Sequence, residues 1–176
     1  GEILFRTKLS ENLFEGLSPW MQKLPGGLIH VNVVGCALFA AISGSSAATV
    51  ATVGKMSIPE LRKRNYPEKI LLGSLAGSGT LGLLIPPSII LIIYGVTVQE
   101  SIAKLFIAGI LPGIMIAIIF MLYVIIWSSM NKKIMPKSFE SFTLIEKLNR
   151  SKKLLPVIVL ILAVIGSIYT GIATAT

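Results

Sequence analysis

Four long stretches of the chain contain no charged residue, and they cover residues 28–54, 70–99, 105–131 and 154–176. Each exceeds the roughly 20 helical residues that cross a hydrocarbon layer of about 30 Å. The chain is 53% hydrophobic and 14% charged, which is more apolar than the core of a water-soluble domain requires. The pattern therefore predicts an all-α integral membrane protein.

The first two stretches are interrupted in the middle, whereas the last two are predicted to contain continuous transmembrane helices. Residues Ser43–Ser46 interrupt 28–54, and a glycine-rich run followed by Pro86 and Pro87 interrupts 70–99. Proline removes a backbone donor and clashes with the preceding turn. We predict a re-entrant helical hairpin over 28–54 and a discontinuous helix with halves at about 70–78 and 88–97. The alternatives are one long tilted helix and a proline kink without function.

The net charge of +8 is concentrated in two connecting segments, residues 55–69 and 132–153. Such clustering is typical of cytoplasmic loops in membrane proteins, and it argues against a nucleic-acid partner. Residues 1–27 are predicted to contain the end of a preceding helix and an amphipathic helix on the cytoplasmic surface. We predict a basic loop over 55–69, a short helix and a transmembrane helix over 100–131, and a loop with an arm helix over 132–153.

The interruptions are the candidate functional features, because a helix end exposes unpaired backbone groups. A C-terminus offers carbonyl oxygens to a cation, and an N-terminus offers amide donors to a carboxylate. The Na⁺ candidates are Ser43, Gly44, Ser45, Gly77, Gly79 and Thr80. The substrate-binding candidates are Ser45, Ser46, Thr49, Pro87 and Ser88. These ligands are neutral oxygens and amides, which suit sodium better than zinc or copper.

The composition leaves little room for enzymatic chemistry. The chain has one cysteine, Cys36, one histidine, His30, and no aspartate. A protease pair of His30 with a serine of the first interruption would require hydrogen-bond contact, although His30 lies about three helical turns away. Residues 77–82 match a dinucleotide-binding pattern but lie in a membrane segment. We expect no enzymatic activity, no catalytic residue and no covalent cofactor.

Several motifs in combination resemble the large membrane subunit of TRAP transporters, and the likeness covers essentially the whole chain. The motifs are Gly26-Gly27-Leu28, Ser43-Gly44-Ser45-Ser46, Ile58-Pro59-Glu60-Leu61, Ile85-Pro86-Pro87-Ser88, Ile93-Tyr94-Gly95 and Leu105-Phe106-Ile107-Ala108-Gly109. The chain begins with Gly1 and resembles the first half of that subunit. We therefore expect an N-terminal half, which would form one inverted repeat of an elevator-type transporter.

The resemblance implies sodium-coupled uptake of an organic acid, such as a C4-dicarboxylate or sialic acid, across a bacterial inner membrane. It also implies a periplasmic substrate-binding protein and a small membrane subunit as partners. The two interruptions would then line the sodium and substrate sites. The alternatives are half of another broken-helix sodium–carboxylate symporter and a membrane scaffold subunit that transports nothing.

Overall fold

The computed structural model describes residues 9–136 and 142–169, and within these ranges the chain is helical and contains no strand. The all-α class is confirmed for this part of the chain. The α-helices are α1 (Leu9–Met21), α2 (Ile29–Ser43), α3 (Ser46–Lys63), α4 (Glu68–Gly79), α5 (Ile89–Val98), α6 (Ile102–Met130), α7 (Leu144–Ser151) and α8 (Leu155–Tyr169). Short 3₁₀ turns cover Thr80–Leu83 and Lys152–Leu154.

Helices α2 and α3 form a helical hairpin whose turn lies in the segment where the sequence predicts one. Gly44 ends α2 in the left-handed conformation, with φ of 62°, and its N–H donates to the Ala40 carbonyl at 3.0 Å. Ser45 is extended and caps α3, because its hydroxyl accepts the Ala48 N–H at 3.5 Å. Glycine adopts a left-handed conformation without steric cost, and serine favours the cap position. Local backbone preferences therefore explain this turn.

The second interruption is longer and separates α4 from α5. The chain leaves α4 at Gly79, makes the 3₁₀ turn, and passes through a cis peptide bond between Pro86 and Pro87. Ser88 is extended, and α5 begins at Ile89. The two half-helices thus cover 68–79 and 89–98, which is close to the predicted halves.

Two boundaries differ from the sequence predictions. Residues 55–63, predicted as part of a basic loop, continue α3 as far as Lys63, and the connection to α4 is correspondingly short. Lysine, methionine, glutamate and arginine are good helix formers, and burial of Ser57 and Leu61 fixes this extension against the core. This packing outweighs the tendency of Pro59, which lies inside α3, to interrupt a helix.

The predicted short helix and transmembrane helix over 100–131 form the single helix α6, which contains Pro112. A proline costs one internal hydrogen bond but need not end a long apolar helix. Helix α6 and the continuous helical segment Leu144–Ile168 are long and apolar enough to cross a membrane. Many large apolar side chains of α6 are exposed, as expected for a surface that faces lipid.

Helix α2 occupies the centre of the described structure and packs against α1, α3, α4, α6 and α8. Its side chains Val31, Cys36 and Phe39 are almost completely buried. The surrounding helices contribute Leu13, Val53, Leu61, Leu71, Leu75 and Val157 to the same core. The hairpin is therefore held from several sides, and its turn has a defined position.

Helix α1, which is predicted to lie at the membrane surface, packs against the arm helix α7. The Trp20 Nε1–H donates to the Ser151 hydroxyl at 2.8 Å, and the Lys147 ammonium lies 5.3 Å from the centre of the Trp20 ring. Glu15 forms an ion pair with Lys153 just beyond α7. Parts of the chain far apart in sequence therefore form one amphipathic layer at the base of the hairpin.

Candidate functional site

The two interruptions meet in the folded chain. The N–H of Ile89, the first residue of α5, donates to the carbonyl oxygen of Gly44 in the hairpin turn at 3.3 Å. A Cβ at Gly44 would lie 2.5 Å from the carbonyl oxygen of Pro87, which leaves no space for a side chain. The end of α2 and the start of α5 are therefore in direct backbone contact.

The 3₁₀ turn after α4 also packs against the hairpin turn. A Cβ at Gly82 would lie 2.8 Å from the backbone nitrogen of Ser46 and 2.9 Å from the carbonyl carbon of Ser45. A Cβ at Gly79 would overlap the side chain of Val50 in the first turns of α3. The glycines of the second interruption thus form a smooth surface on which the start of α3 lies.

Hydroxyl groups at the hairpin turn form a compact network. The Thr49 hydroxyl donates to the Ser45 carbonyl at 2.8 Å and lies 2.8 Å from the Ser43 hydroxyl oxygen. Thr49 is completely buried. The Ser43 hydroxyl also lies within hydrogen-bond distance of the Ser45 carbonyl oxygen, at 3.3 Å. The predicted site residues Ser43, Ser45 and Thr49 are therefore brought together and held in fixed positions.

An open groove of about 400 Å³ lies beside this network. Its lining residues are Ser46, Ala47, Val50, Ala51, Ala76, Gly79 and Thr80. The Thr80 hydroxyl donates to the Gly77 carbonyl at 2.7 Å. The start of α3 and the end of α4 both border the groove, so one space is lined by the N-terminal end of one helix and the C-terminal end of another.

Pro87 and Ser88 lie next to the hairpin turn, but the Ser88 hydroxyl already has a partner. It is buried and donates to the Leu83 carbonyl at 2.6 Å, which closes the loop between the 3₁₀ turn and α5. Gly77 faces the opposite direction, because a Cβ there would lie 3.3 Å from the ring of Phe120 in α6. Among the predicted residues, Gly77 is thus placed against α6 and away from the groove.

His30 lies at the base of the hairpin and not at its turn. Its Nε2 is 2.7 Å from the Pro25 carbonyl oxygen. The hydrogen bonds of Ser43 and Ser45 are made within residues 43–49. The folded chain therefore places His30 in the first turn of α2, where its Nε2 contacts the connection from α1.

Two residues that the sequence analysis did not select are important for the geometry. Gly82 provides the close contact with α3, and its membership of a glycine-rich run was an available signal. Asn32 is buried in α2, where its Nδ2 donates to the Leu71 carbonyl at 3.2 Å and to the Ser74 hydroxyl at 3.0 Å. An amide side chain is unusual in a long uncharged stretch. Through these two hydrogen bonds, Asn32 joins the hairpin to α4.

Comparison with known proteins identifies the family. A family model described as the DctM component of the tripartite ATP-independent periplasmic transporter matches residues 1–176. The chain belongs to this family. The TRAP resemblance noted in the sequence is therefore confirmed. The family is one of membrane transporter permeases and not of enzymes.

Named relatives agree with this assignment. The chain is 40% identical over 177 residues to the C4-dicarboxylate TRAP transporter large permease protein DctM of Pseudomonas aeruginosa, with 100% of this chain and 40% of the relative covered. It is 38% identical over 127 residues to the ectoine TRAP transporter large permease protein TeaC of Halomonas elongata, covering 72% of this chain and 30% of the relative.

The sialic acid TRAP transporter permease protein SiaT of Haemophilus influenzae is 41% identical to the chain over 113 residues, covering 64% of this chain and 18% of the relative. The chain thus spans 40% or less of the length of these three relatives.

Within the ranges that the structure describes, no three side chains of His, Cys, Asp or Glu are grouped as metal ligands. Backbone carbonyls and hydroxyls are the cation ligands that the meeting point of the interruptions offers.

Proposed function

We propose that the chain is part of the large membrane subunit of a sodium-coupled TRAP transporter that imports an organic acid. The observation that supports this most directly is the contact between the two interruptions, through Ile89 and Gly44. Together with the contacts of Gly79 and Gly82 against the start of α3, this bond places four helix ends close to one another. They are the C-terminal ends of α2 and α4 and the N-terminal ends of α3 and α5. Broken helices in transporters place such ends around their ion and substrate sites.

Sodium is the proposed coupling ion, and carbonyl and hydroxyl oxygens near the meeting point are its proposed ligands. The C-terminal ends of α2 and α4 carry partial negative charge, which favours a cation. Ser43, Gly44 and Ser45 would contribute from the hairpin turn, and Gly79 and Thr80 from the end of α4. Gly77 is the weakest of the predicted ligands, because it packs against α6 and its carbonyl already accepts a hydrogen bond from the Thr80 hydroxyl.

The substrate is proposed to bind through a carboxylate at the N-terminal ends of α3 and α5. Ser45, Ser46 and Thr49 belong to the first of these ends, and Pro87 and Ser88 to the second. Amide donors and partial positive charge at a helix start favour an anion. Relatives are named for C4-dicarboxylates, sialic acid and 2,3-diketo-L-gulonate, which are carboxylic acids, and one is named for isethionate, which is a sulfonate anion. A C4-dicarboxylate, sialic acid or a similar carboxylate is the proposed substrate class.

The arrangement in the membrane is proposed from the charge pattern. The basic segments around 55–69 and 132–153 would lie on the cytoplasmic side of a bacterial inner membrane. The α2–α3 hairpin would then enter and leave on that side, and α4–α5, α6 and α8 would cross. We propose that the chain supplies one inverted repeat of an elevator-type, multi-pass subunit. A small membrane subunit and a periplasmic binding protein would be its partners.

The proposal can be tested with the full-length subunit, its small subunit and its binding protein in liposomes. Uptake of labelled succinate and of labelled sialic acid is measured with an inward sodium gradient, and with choline replacing sodium. Uptake of at least one acid should require sodium and the binding protein. Ser45→Ala and Ser46→Ala should each reduce sodium-dependent uptake by about tenfold or more.

Ser101→Ala provides the matched control, because Ser101 is exposed and its side chain makes no capping hydrogen bond at the start of α6. This variant should transport like the unmodified subunit. Uptake of both acids that is equally fast in choline would contradict sodium coupling. Unchanged uptake by the Ser45 and Ser46 variants would contradict the proposed site.

A further inference from the structure

A second pocket lies at the opposite end of the hairpin from the turn. It has a volume of about 420 Å³ and is enclosed by the α1–α2 connection, the α3–α4 connection and the end of α6. Helix α2 contains 15 residues, so its two ends are roughly 20 Å apart at 1.5 Å per residue. This pocket is therefore separate from the proposed transport site.

The pocket has a cationic rim. Lys23, Arg64 and Lys132 line it, and its lining residues from the described ranges include no acidic side chain. The Arg64 Nε–H donates to Glu60 at 2.9 Å. The ammonium groups of Lys23 and Lys132 have no ion-pair partner within 9–136 and 142–169. Unpaired positive charge therefore comes from the α1–α2 connection and from the segment after α6, and Arg64, which is paired with Glu60, contributes a third cationic group.

Buried polar atoms also line the pocket without a partner in the described part of the chain. They are the Ser128 hydroxyl, on a residue that is 3% exposed, and the Gln22 Oε1, on a residue that is 8% exposed. A buried polar group without a partner destabilises the folded state, because it has lost its hydrogen bonds to water. A ligand that carries both acceptor and donor oxygens would satisfy both side chains.

The remaining walls are apolar, with contributions from Leu24, Pro25, Leu28, Met135 and Pro136. At the adjoining end of α6, Ile126 and Met130 are largely exposed. A small soluble anion would not need such walls, whereas a phospholipid presents a charged headgroup attached to apolar chains. Basic pockets between membrane helices on the cytoplasmic side suit anionic headgroups.

We propose that this pocket binds the headgroup of one anionic phospholipid at the cytoplasmic membrane surface. The phosphate would lie among Lys23, Arg64 and Lys132, and a glycerol hydroxyl would reach Gln22. The acyl chains would follow the apolar surface of α6. Bound there, the lipid would contact the connection through which α1 leads into the hairpin.

The test uses the full-length subunit in neutral detergent with a fluorescent phosphatidylglycerol as the probe, and fluorescence anisotropy gives its dissociation constant. The double variant Lys23→Gln with Lys132→Gln should raise this constant by about tenfold or more. The control is Lys133→Gln with Lys152→Gln, which removes the same charge from exposed lysines that do not line the pocket. The control should bind like the unmodified subunit.

Competition distinguishes the possible sources of the anion. Unlabelled phosphatidylglycerol should displace the probe, whereas phosphatidylcholine with the same chains and inorganic phosphate at the same concentration should not. Displacement by phosphatidylcholine or by phosphate would overturn the proposal, as would equal weakening in the two double variants.

A second measurement needs no substitution, so it remains decisive even where a variant fails to fold. Phosphatidylglycerol with a photoactivatable headgroup is crosslinked to the unmodified subunit, and the labelled peptides are identified by mass spectrometry. Labelling should concentrate in residues 22–28 and 128–136. Labelling confined to other regions would overturn the proposal.

Discussion

The backbone N–H of Ile89 is bonded to the carbonyl oxygen of Gly44 at 3.3 Å, and this bond joins the start of α5 to the turn between α2 and α3. A displacement of the hairpin turn would therefore change the environment of the start of α5. The proposed cation and carboxylate ligands belong to the same contact region, so binding of one would affect the position of the other.

Gly82→Ala should disrupt the contact between the two interruptions. The added Cβ would lie 2.8 Å from the Ser46 nitrogen, and backbone cannot move aside as a flexible side chain can. We expect sodium-dependent uptake by the full-length subunit in liposomes to fall at least tenfold. Gly73→Ala is the matched control, because a Cβ at Gly73 meets no atom within 4 Å. Equal uptake by the two variants would refute the importance of this contact.

Thr49→Val should weaken sodium dependence, because it keeps the shape of the side chain but removes the hydroxyl shared by Ser43 and the Ser45 carbonyl. We expect the sodium concentration for half-maximal uptake to rise about tenfold, which corresponds to about 1.4 kcal/mol. Thr49→Ser retains the hydroxyl and should restore most of the affinity. If Thr49→Val keeps the sodium dependence of the unmodified subunit, the Thr49 hydroxyl is not responsible for it.

Asn32 and Ser74 should be energetically coupled through their 3.0 Å hydrogen bond between α2 and α4. The single changes Asn32→Ala and Ser74→Ala and their combination form a double-mutant cycle, with the free energy of unfolding measured by chemical denaturation in micelles. We expect a coupling energy of about 0.5–1.5 kcal/mol, as for other hydrogen bonds between membrane helices. Purely additive effects would show that this bond contributes nothing to holding the hairpin.

Tyr66→Phe should destabilise the base of the hairpin. The Leu28 N–H donates to the Tyr66 hydroxyl oxygen at 3.1 Å, and its loss leaves that amide without this acceptor. We expect unfolding in micelles to become easier by about 1–3 kcal/mol. Tyr123→Phe removes an exposed hydroxyl and is the control, with an expected effect near zero.

The burial of Tyr66 also predicts that the stability of the fold depends on pH. Burial raises the pKa of the Tyr66 phenol above its ordinary value, although the Leu28 amide and Arg64 lower it in part. The folded state thus holds the phenolic proton more tightly than the unfolded state. This contribution to stability is complete below the unfolded pKa of about 10 and is lost as the pH rises through the folded value. Tyr66→Phe should lack this alkaline loss, and an identical loss in both proteins would assign it to other groups.

Local chemistry explains which features were predictable from the sequence. Gly44 and Ser45 specify the hairpin turn through backbone preference and capping, and Pro86 and Pro87 prevent a continuous helix in their segment. These effects act within a few residues, so the sequence analysis could locate both interruptions. The extension of α3 to Lys63 was missed because packing of Leu61 against the core outweighed the local signal of Pro59.

The helical class, the apolar segments, the two interruptions and the family can all be read from the amino-acid sequence. Each of these depends on composition, on spacing or on the conformational limits of single residues. The tertiary structure alone decided that Ile89 is bonded to Gly44, that Gly82 lies against Ser46, that Gly77 faces Phe120, and that Lys23 and Lys132 share a pocket. These relationships join residues far apart along the chain, and they are fixed by how the helices fill space around α2, which no local pattern encodes.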